Sequence, residues 1–250
     1  MRILGFSTGA IALGDFQRAI RILSNHNLQA IELSALRATE LQSLVNARKA
    51  LDLSQWQYIG FHAPSQYQPD DEQLIVETLL HQVPENWPII VHPDAMHDFA
   101  LWRKLGRRIA VENMDRRKRT GRSREEMDAV FHQLPDARFT FDIGHARQYD
   151  TTMTEAYRLL TTFSERLAWM HISEVSMNTS RHERISFASR IAFQQVAKLI
   201  PENIPLVIES RVECHQIDAE CRAAQESLRI LSWQETQKMT PITTTVAANF

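Results

Sequence analysis

Cysteine is scarce in this chain of 250 residues: only Cys214 and Cys221 are present, without a CxxC spacing. That excludes a disulfide framework and points to a reducing compartment, with the cytoplasm as the default expectation. Glycine is sparse as well, at seven, and neither GxGxxG nor GxxxxGK[ST] follows the first apolar run, which removes both nucleotide-phosphate loops. No stretch approaches the roughly eighteen apolar residues of a membrane span, and the N-terminal MRILGFSTG is too polar for a secretory h-region, so no membrane partner is expected. Positive charge has no surplus, since 28 Lys and Arg face 30 Asp and Glu for a formal charge of −2. A surface that neutralises nucleic-acid phosphates wholesale is thereby excluded, and only a local basic patch remains open.

What is there is an ordinary apolar content of 44%, enough at this length to bury a sizeable core. Eight short runs rich in β-branched and aromatic residues stand out: Ile3 to Ser7, Ala30 to Leu33, Tyr58 to Phe61, Ile89 to Val91, Ile109 to Val111, Phe139 to Phe141, Leu167 to Met170 and Leu206 to Ile208. Between them lie stripes at helical spacing. Phe16, Ile20 and Leu23 form one, and Leu41, Leu44 and Val45 another. The pattern recurs over Asp70 to Leu80, Phe99 to Leu105, Thr154 to Phe163, Ile191 to Ile200 and Ala219 to Ile230. Ser123, with Glu126 three residues on, reads as a capping box ahead of Met127, Val130 and Phe131. The alternation, without linker or composition shift, predicts an α/β fold: one (β/α)8 TIM barrel over residues 1–233, rather than a doubly wound sheet. The polar, threonine-rich stretch 234–250 reads as a tail, disordered or docked on the exterior.

In such a barrel the C-terminal ends of the strands converge on one face. Here they carry His62 in FHAPS, His92 in VHPD, Glu112 in VENMD, Asp142 and His145 in FDIGH, His171 in MHISE, and Glu209 in IES. Singly, a strand-end His or Glu is most often a hydrogen-bonded or ion-paired structural residue. Seven side by side could not stay buried without a large desolvation penalty, whereas divalent cations would neutralise the carboxylates and take the imidazoles as ligands. Glu32, closing IELSA, is read either as facing the cavity or as a salt-bridge partner. Trp56, Trp87, Trp102, Trp169 and Trp233 are expected between helices and barrel. His26, His81, His97, His132 and His215 are read as surface residues.

In these strand ends and their order the chain resembles the xylose isomerase-like barrels, which include sugar and sugar-phosphate isomerases and epimerases and the endonuclease IV group. The resemblance covers about Ile3 to Ile208. It implies that His62, His92 and Glu112 hold one metal and that Glu112, Asp142, His171 and Glu209 hold a second, Glu112 bridging. The stretch Ser180 to Ile185 resembles the family's D-x-H-E-x-I, implying a third site at His145 and His182; Ser180 stands where the family has Asp, and a hydroxyl is a poor ligand beside a carboxylate. One to three ions of Zn, Mn or Fe are thus expected.

The basic run from Asp115 to Arg124 follows Glu112 directly. A run of this kind is commonly a solvated loop. Its position over the expected site makes Arg116, Arg117 and Lys118 candidates to clamp a small anionic substrate. Three functions stay open. The resemblance implies a metal-dependent isomerase or epimerase of a sugar or sugar phosphate, with Glu112 and Glu209 exchanging the proton. An endonuclease IV-like phosphoesterase is the alternative; His62, His92 and His182 favour it, while Ser180 and the net charge oppose it, so nucleic acid is not the expected partner but stays open. A metal-dependent oxidase or a non-catalytic barrel is the third.

Overall fold

The computed structural model describes residues 2–230. The expected end of the barrel at residue 233, Trp233 and the tail 234–250 lie outside the described residues. Eight parallel strands close into a barrel: β1 (Leu4–Ser7), β2 (Ala30–Ser34), β3 (Tyr58–His62), β4 (Ile89–Val91), β5 (Ile109–Glu112), β6 (Arg138–Asp142), β7 (Leu167–Ile172) and, after the short hairpin β8 (Glu174–Val175) and β9 (His182–Glu183), β10 (Leu206–Ile208). Around the barrel, β1 pairs with β2 and with β10, and β10 pairs with β7. The expected single TIM barrel is therefore the observed fold.

Period-two alternation decides which side chains enter the lumen. Phe6, Ile31, Leu33, Phe61, Ile89, Val111, Phe139, Phe141 and Ile208 point outward into one continuous core beneath the helices. Their neighbours point inward. Ala30, Ile90, Trp169 and Val207 form a small separate apolar plug, against which Ile3 and Tyr58 pack. One step further along the strands, the same inward faces carry Ser7, Glu32, His62, Glu112, Asp142 and His171, all buried. The plug and the polar layer are thus successive tiers of one lumen. Trp169 belongs to the plug, not between helices and barrel as expected. Gly60 makes this possible, because a Cβ there would lie 2.7 Å from the Trp169 ring. Trp56, Trp87 and Trp102 do join the outer core.

The helices are α1 (Thr8–Ala12), α2 (Phe16–Leu23), α3 (Ala38–Ala47), α4 (Glu72–Gln82), α5 (Phe99–Trp102), α6 (Arg124–Gln133), α7 (Ile143–Tyr149), α8 (Thr154–Thr162), α9 (Phe187–Gln194) and α10 (Ile217–Ser227). Ser123 caps α6 by accepting from Glu126 N–H, but the reciprocal half differs from a capping box: the Glu126 carboxylate takes Arg122 N–H and its guanidinium. The helix expected over Ile191 to Ile200 begins earlier, at Phe187, and stops at Gln194, with a 3-10 turn from Ala197 to Leu199 following. Its start is set by Ser186, whose hydroxyl accepts from Ser189 N–H. Among the described residues no helix is long and apolar enough to cross a membrane.

Candidate metal centre

Each strand delivers its side chain through the same local logic, and neighbouring residues lock it. Asn113, following Glu112, is fully buried and joins β5 to β6 reciprocally: its Nδ2–H donates to Asp142 O at 2.8 Å and its Oδ1 accepts from Asp142 N–H at 2.9 Å. Asp142 then caps α7, its Oδ1 accepting from His145 N–H at 2.7 Å. That cap starts a helix directly at the strand end and turns His145 inward, where its Nδ1–H donates to Asn113 O at 2.9 Å. His182 arrives on β9, its Nδ1 lying 2.8 Å from Ser173 Oγ. Neither α7 nor the hairpin was read from the sequence.

Glu112 is the hub. Its Oε2 lies 3.1 Å from His92 Nε2 and 3.6 Å from His62 Nε2, and its Oε1 lies 3.1 Å from His171 Nδ1 and 3.3 Å from His145 Nδ1. His62 Nε2 and His92 Nε2 face each other at 3.1 Å. Since His62 Nδ1–H donates to Ala63 O at 2.8 Å, its Nε2 is left to face the cluster. Glu209 Oε2 lies 3.5 Å from both His171 Nδ1 and His182 Nδ1.

So many titratable groups in one lumen shift one another. Burial opposes charge on His62, yet Glu112, Glu32 and Glu209 together push its pKa up to about 9. His171 is likewise lifted well above its ordinary value by Glu209, Glu32 and Glu112, against burial. Burial raises Glu209 to about 7, with Glu112 and Glu32 adding to it. Burial also works against the Glu112 charge, but His171 and His92 hold that carboxyl well below the usual range. For His182, burial and then the charge on His145 lower the pKa well below the ordinary value.

Four groups of residues bring ligand atoms within 4.8 Å of one another: His62, His92 and Glu112; Glu112, Asp142, His171 and Glu209; Asp142, His145 and His182; and Glu32, His62 and Glu209. The first two are the sets expected from the sequence. In the third, Asp142 brings the carboxylate that Ser180 cannot supply. The donor set fits a divalent cation on a further count: Glu112 Oε2, Asp142 Oδ2 and His92 Nδ1 are buried without a hydrogen-bond partner. Unpaired polar atoms at this depth are costly, and a cation would satisfy the carboxylate oxygens.

Above the clusters opens a cavity of about 220 Å³, whose walls include Ser7, Ser65, Gln66, Lys118, Ser180 and Arg211. Of the three basic candidates, only Lys118 lines it, with its Nζ 3.1 Å from Asp94 Oδ2. Arg116 and Arg117 do not reach it. Their guanidiniums donate instead to Met177 O and Asn178 O, clasping the loop that leads to β9. Gln148 joins that clasp, its Nε2–H donating to Ser176 O at 2.6 Å and Thr179 O at 2.8 Å. Gly121, at φ +84, seats the basic loop: a Cβ there would lie 2.5 Å from Pro93, the residue after His92. Arg211 was missed because it follows Glu209 in a stretch without periodicity. Glu32, left open in the sequence, is fully buried and bonded to His171 and Trp169.

The architecture is a (β/α)8 TIM barrel with its clusters of ligand atoms gathered at one end of the lumen. By sequence, no protein-family model and no curated protein matches the chain. By structure it is similar to IolI, solved with a bound zinc atom, at 11% identity and TM-score 0.61 over 91% of this chain and 98% of that one. It is similar also to the 3-keto-D-glucoside 4-epimerase YcjR from E. coli, at 12% identity and TM-score 0.54 over 91% and 98% of the two chains. A D-allulose 3-epimerase from Methylomonas sp. superimposes at 14% identity and TM-score 0.51 over 91% and 95%. At such identities the likeness is one of fold.

Proposed function

We propose that the chain is a divalent-metal-dependent isomerase or epimerase of a small sugar or sugar phosphate. One observation carries this reading: Glu112, Asp142, His171 and Glu209, from four different strands, aim ligand atoms at a common point at the floor of a small, hydroxyl-lined cavity. These four would hold zinc, manganese or iron. A bound cation of this kind supplies Lewis acidity, which lowers the pKa of a C–H beside a carbonyl. Glu112 and Glu209 enter from β5 and from the end of β10, two well-separated strands, so that one carboxylate can take a proton from a carbon while the other, protonated, donates its own to the opposite face. The two epimerases among the similar structures support this class.

Lys118 is the cation proposed to meet a phosphate or carboxylate of the substrate, with Arg211 at the same cavity, while Arg116 and Arg117 would serve it indirectly through the loop they clasp. Losing a charge-assisted contact costs about 1.5–3 kcal/mol, or roughly one to two orders of magnitude in affinity. Lys118→Ala should therefore raise KM for a phosphorylated substrate by about tenfold or more, and leave KM for its dephosphorylated analogue nearly unchanged. Equal effects on both would remove Lys118 from the substrate site.

A second reading, a multinuclear phosphoesterase, is favoured by a specific observation: the clusters of His62 and His92 and of His145 and His182 exceed what a single-metal epimerase needs. Paired cations suit in-line displacement at phosphorus. The deciding experiment sets the metal-loaded protein against a panel of sugars and sugar phosphates and against a duplex with an abasic site. Turnover of a sugar or sugar phosphate is the expected result. Incision of the duplex with no sugar turnover would transfer the site to the second reading, and inactivity on both would favour an oxidase or a non-catalytic barrel.

A further inference from the structure

Glu32 has no role in the chemistry described so far. It stands on β2 with its side chain fully buried. Its Oε2 accepts from His171 Nε2–H at 2.8 Å and from Trp169 Nε1–H at 2.9 Å, while its Oε1 has no partner. His171 therefore meets carboxylates through both ring nitrogens. Nε2 faces Glu32, and Nδ1 lies 3.1 Å from Glu112 Oε1 and 3.5 Å from Glu209 Oε2.

We propose that Glu32 is the positioning residue that fixes the His171 ring with Nε2–H turned to its carboxylate, so that Nδ1 is the nitrogen offered to a divalent cation among Glu112, Asp142 and Glu209. The proposal rests on the metal reading of the site. An imidazole ligand is commonly oriented by donating its other N–H to a carboxylate, and loss of that partner weakens metal affinity by about 10–100-fold. In this barrel the orienting carboxylate is itself held. Trp169 shares an inward face of β7 with His171, two residues away, and its indole N–H pins the same Oε2. Gly60 leaves the space that the indole occupies. Swinging Glu32 away from His171 would break two hydrogen bonds and disturb the apolar plug, so the ring orientation is built into the tier beneath the site.

Glu32 also lies within 4.8 Å of the ligand atoms of His62 and Glu209, which makes direct coordination the rival role. The hydrogen bonds favour positioning, because Oε2 is already engaged twice. Gln separates the two roles: its amide oxygen can accept from His171 Nε2–H, but a neutral amide is a much poorer ligand than a carboxylate.

The test uses the full chain, stripped with chelator and titrated with zinc against a chromophoric competitor, together with 15N NMR of the histidine rings in the zinc-loaded state. In the unaltered protein, His171 should show a metal-bound Nδ1 and a slowly exchanging proton on Nε2. Glu32→Ala should weaken zinc binding about 10–100-fold and release that proton to rapid exchange, whereas Glu32→Gln should stay within about threefold. Zinc on His171 Nε2, or Glu32→Ala binding zinc as tightly as the unaltered chain, would overturn the positioning role alone. So would a Glu32→Gln loss as large as that of Glu32→Ala, which would make Glu32 a ligand. If Glu32→Ala fails to fold, the NMR of the unaltered protein and the Glu32→Gln titration still decide. A folded, unaltered chain that takes up no zinc, manganese or iron would bring down the metal reading itself, and this proposal with it.

Discussion

Glu112→Gln should cost the protein a large part of its stability at pH 6 and little at pH 9.5. The Glu112 carboxylate lies within 3.6 Å of a nitrogen on each of four imidazoles, those of His62, His145 and His171 buried and that of His92 half-buried. Although burial opposes their charge, His62 is raised to about 9 and His171 well above its ordinary value, Glu112 contributing to both. A histidine whose folded pKa exceeds its unfolded value contributes stability that is fully present below about pH 6.5 and is lost as pH rises through the folded pKa. Glu112 is the mirror case: its lowered pKa contributes stability above about pH 4.5 that is lost only in acid. The shared contribution is therefore greatest between about pH 4.5 and 6.5 and fades towards pH 9 and beyond. Removing one partner of a buried pair typically costs about 3–5 kcal/mol, which sets the size of the deficit expected at pH 6. Urea unfolding of both proteins in chelator at the two pH values measures it. A deficit that is flat or grows with pH would contradict the account.

The second large effect is the response to metal. Zinc added to the chelator-stripped protein at pH 7 should raise Tm and expel protons. In the metal-free lumen His62 titrates near 9, and Glu209, raised chiefly by burial, near 7. Both must give up protons to serve as ligands, so each zinc bound through them should release about one proton or more at pH 7, and affinity should rise between pH 6 and 9. At 100 to 1,000 times Kd, binding to the folded state alone is worth about 2.7–4.1 kcal/mol. For a domain of this size that is roughly 5–16 °C in Tm. Calorimetry in buffers of different ionisation enthalpy counts the protons, and a thermal scan reads Tm. No proton release, or affinity that falls as pH rises, would place the zinc elsewhere.

The barrel was legible because its strands are short, β-branched and evenly interrupted, and period-two alternation then puts every strand-end His, Asp and Glu on the lumen side. The remainder depended on contacts far apart in sequence. Glu32 looked like any strand-end carboxylate, and its partner His171 is 139 residues away. Trp169 is expected between helices and barrel like the other tryptophans, and the space at Gly60 that draws it inward has no signature in sequence. The run itself makes Arg116 and Arg117 candidates for an anionic substrate, because the carbonyls that bind them belong to Met177 and Asn178, 61 residues away. α7 is only seven residues long, too short for a clear helical stripe, and its cap Asp142 is a strand-end residue.

That double duty of Asp142 bears on which ions the centre can select. Oδ1 accepts from His145 N–H, whereas Oδ2 has no hydrogen-bond partner and is the freer oxygen for a cation. A cation held by Asp142 would therefore bind more readily through Oδ2 alone, since binding through both oxygens would compete with the cap of α7. Calcium, which fills a wide shell of six to eight oxygens and often takes carboxylates two oxygens at a time, is poorly served by such a ligand set. Compact shells mixing imidazole nitrogen with single carboxylate oxygens suit zinc and iron far better. A backbone hydrogen bond at the first turn of a helix would thus weigh against large hard cations at any metal site built on Asp142.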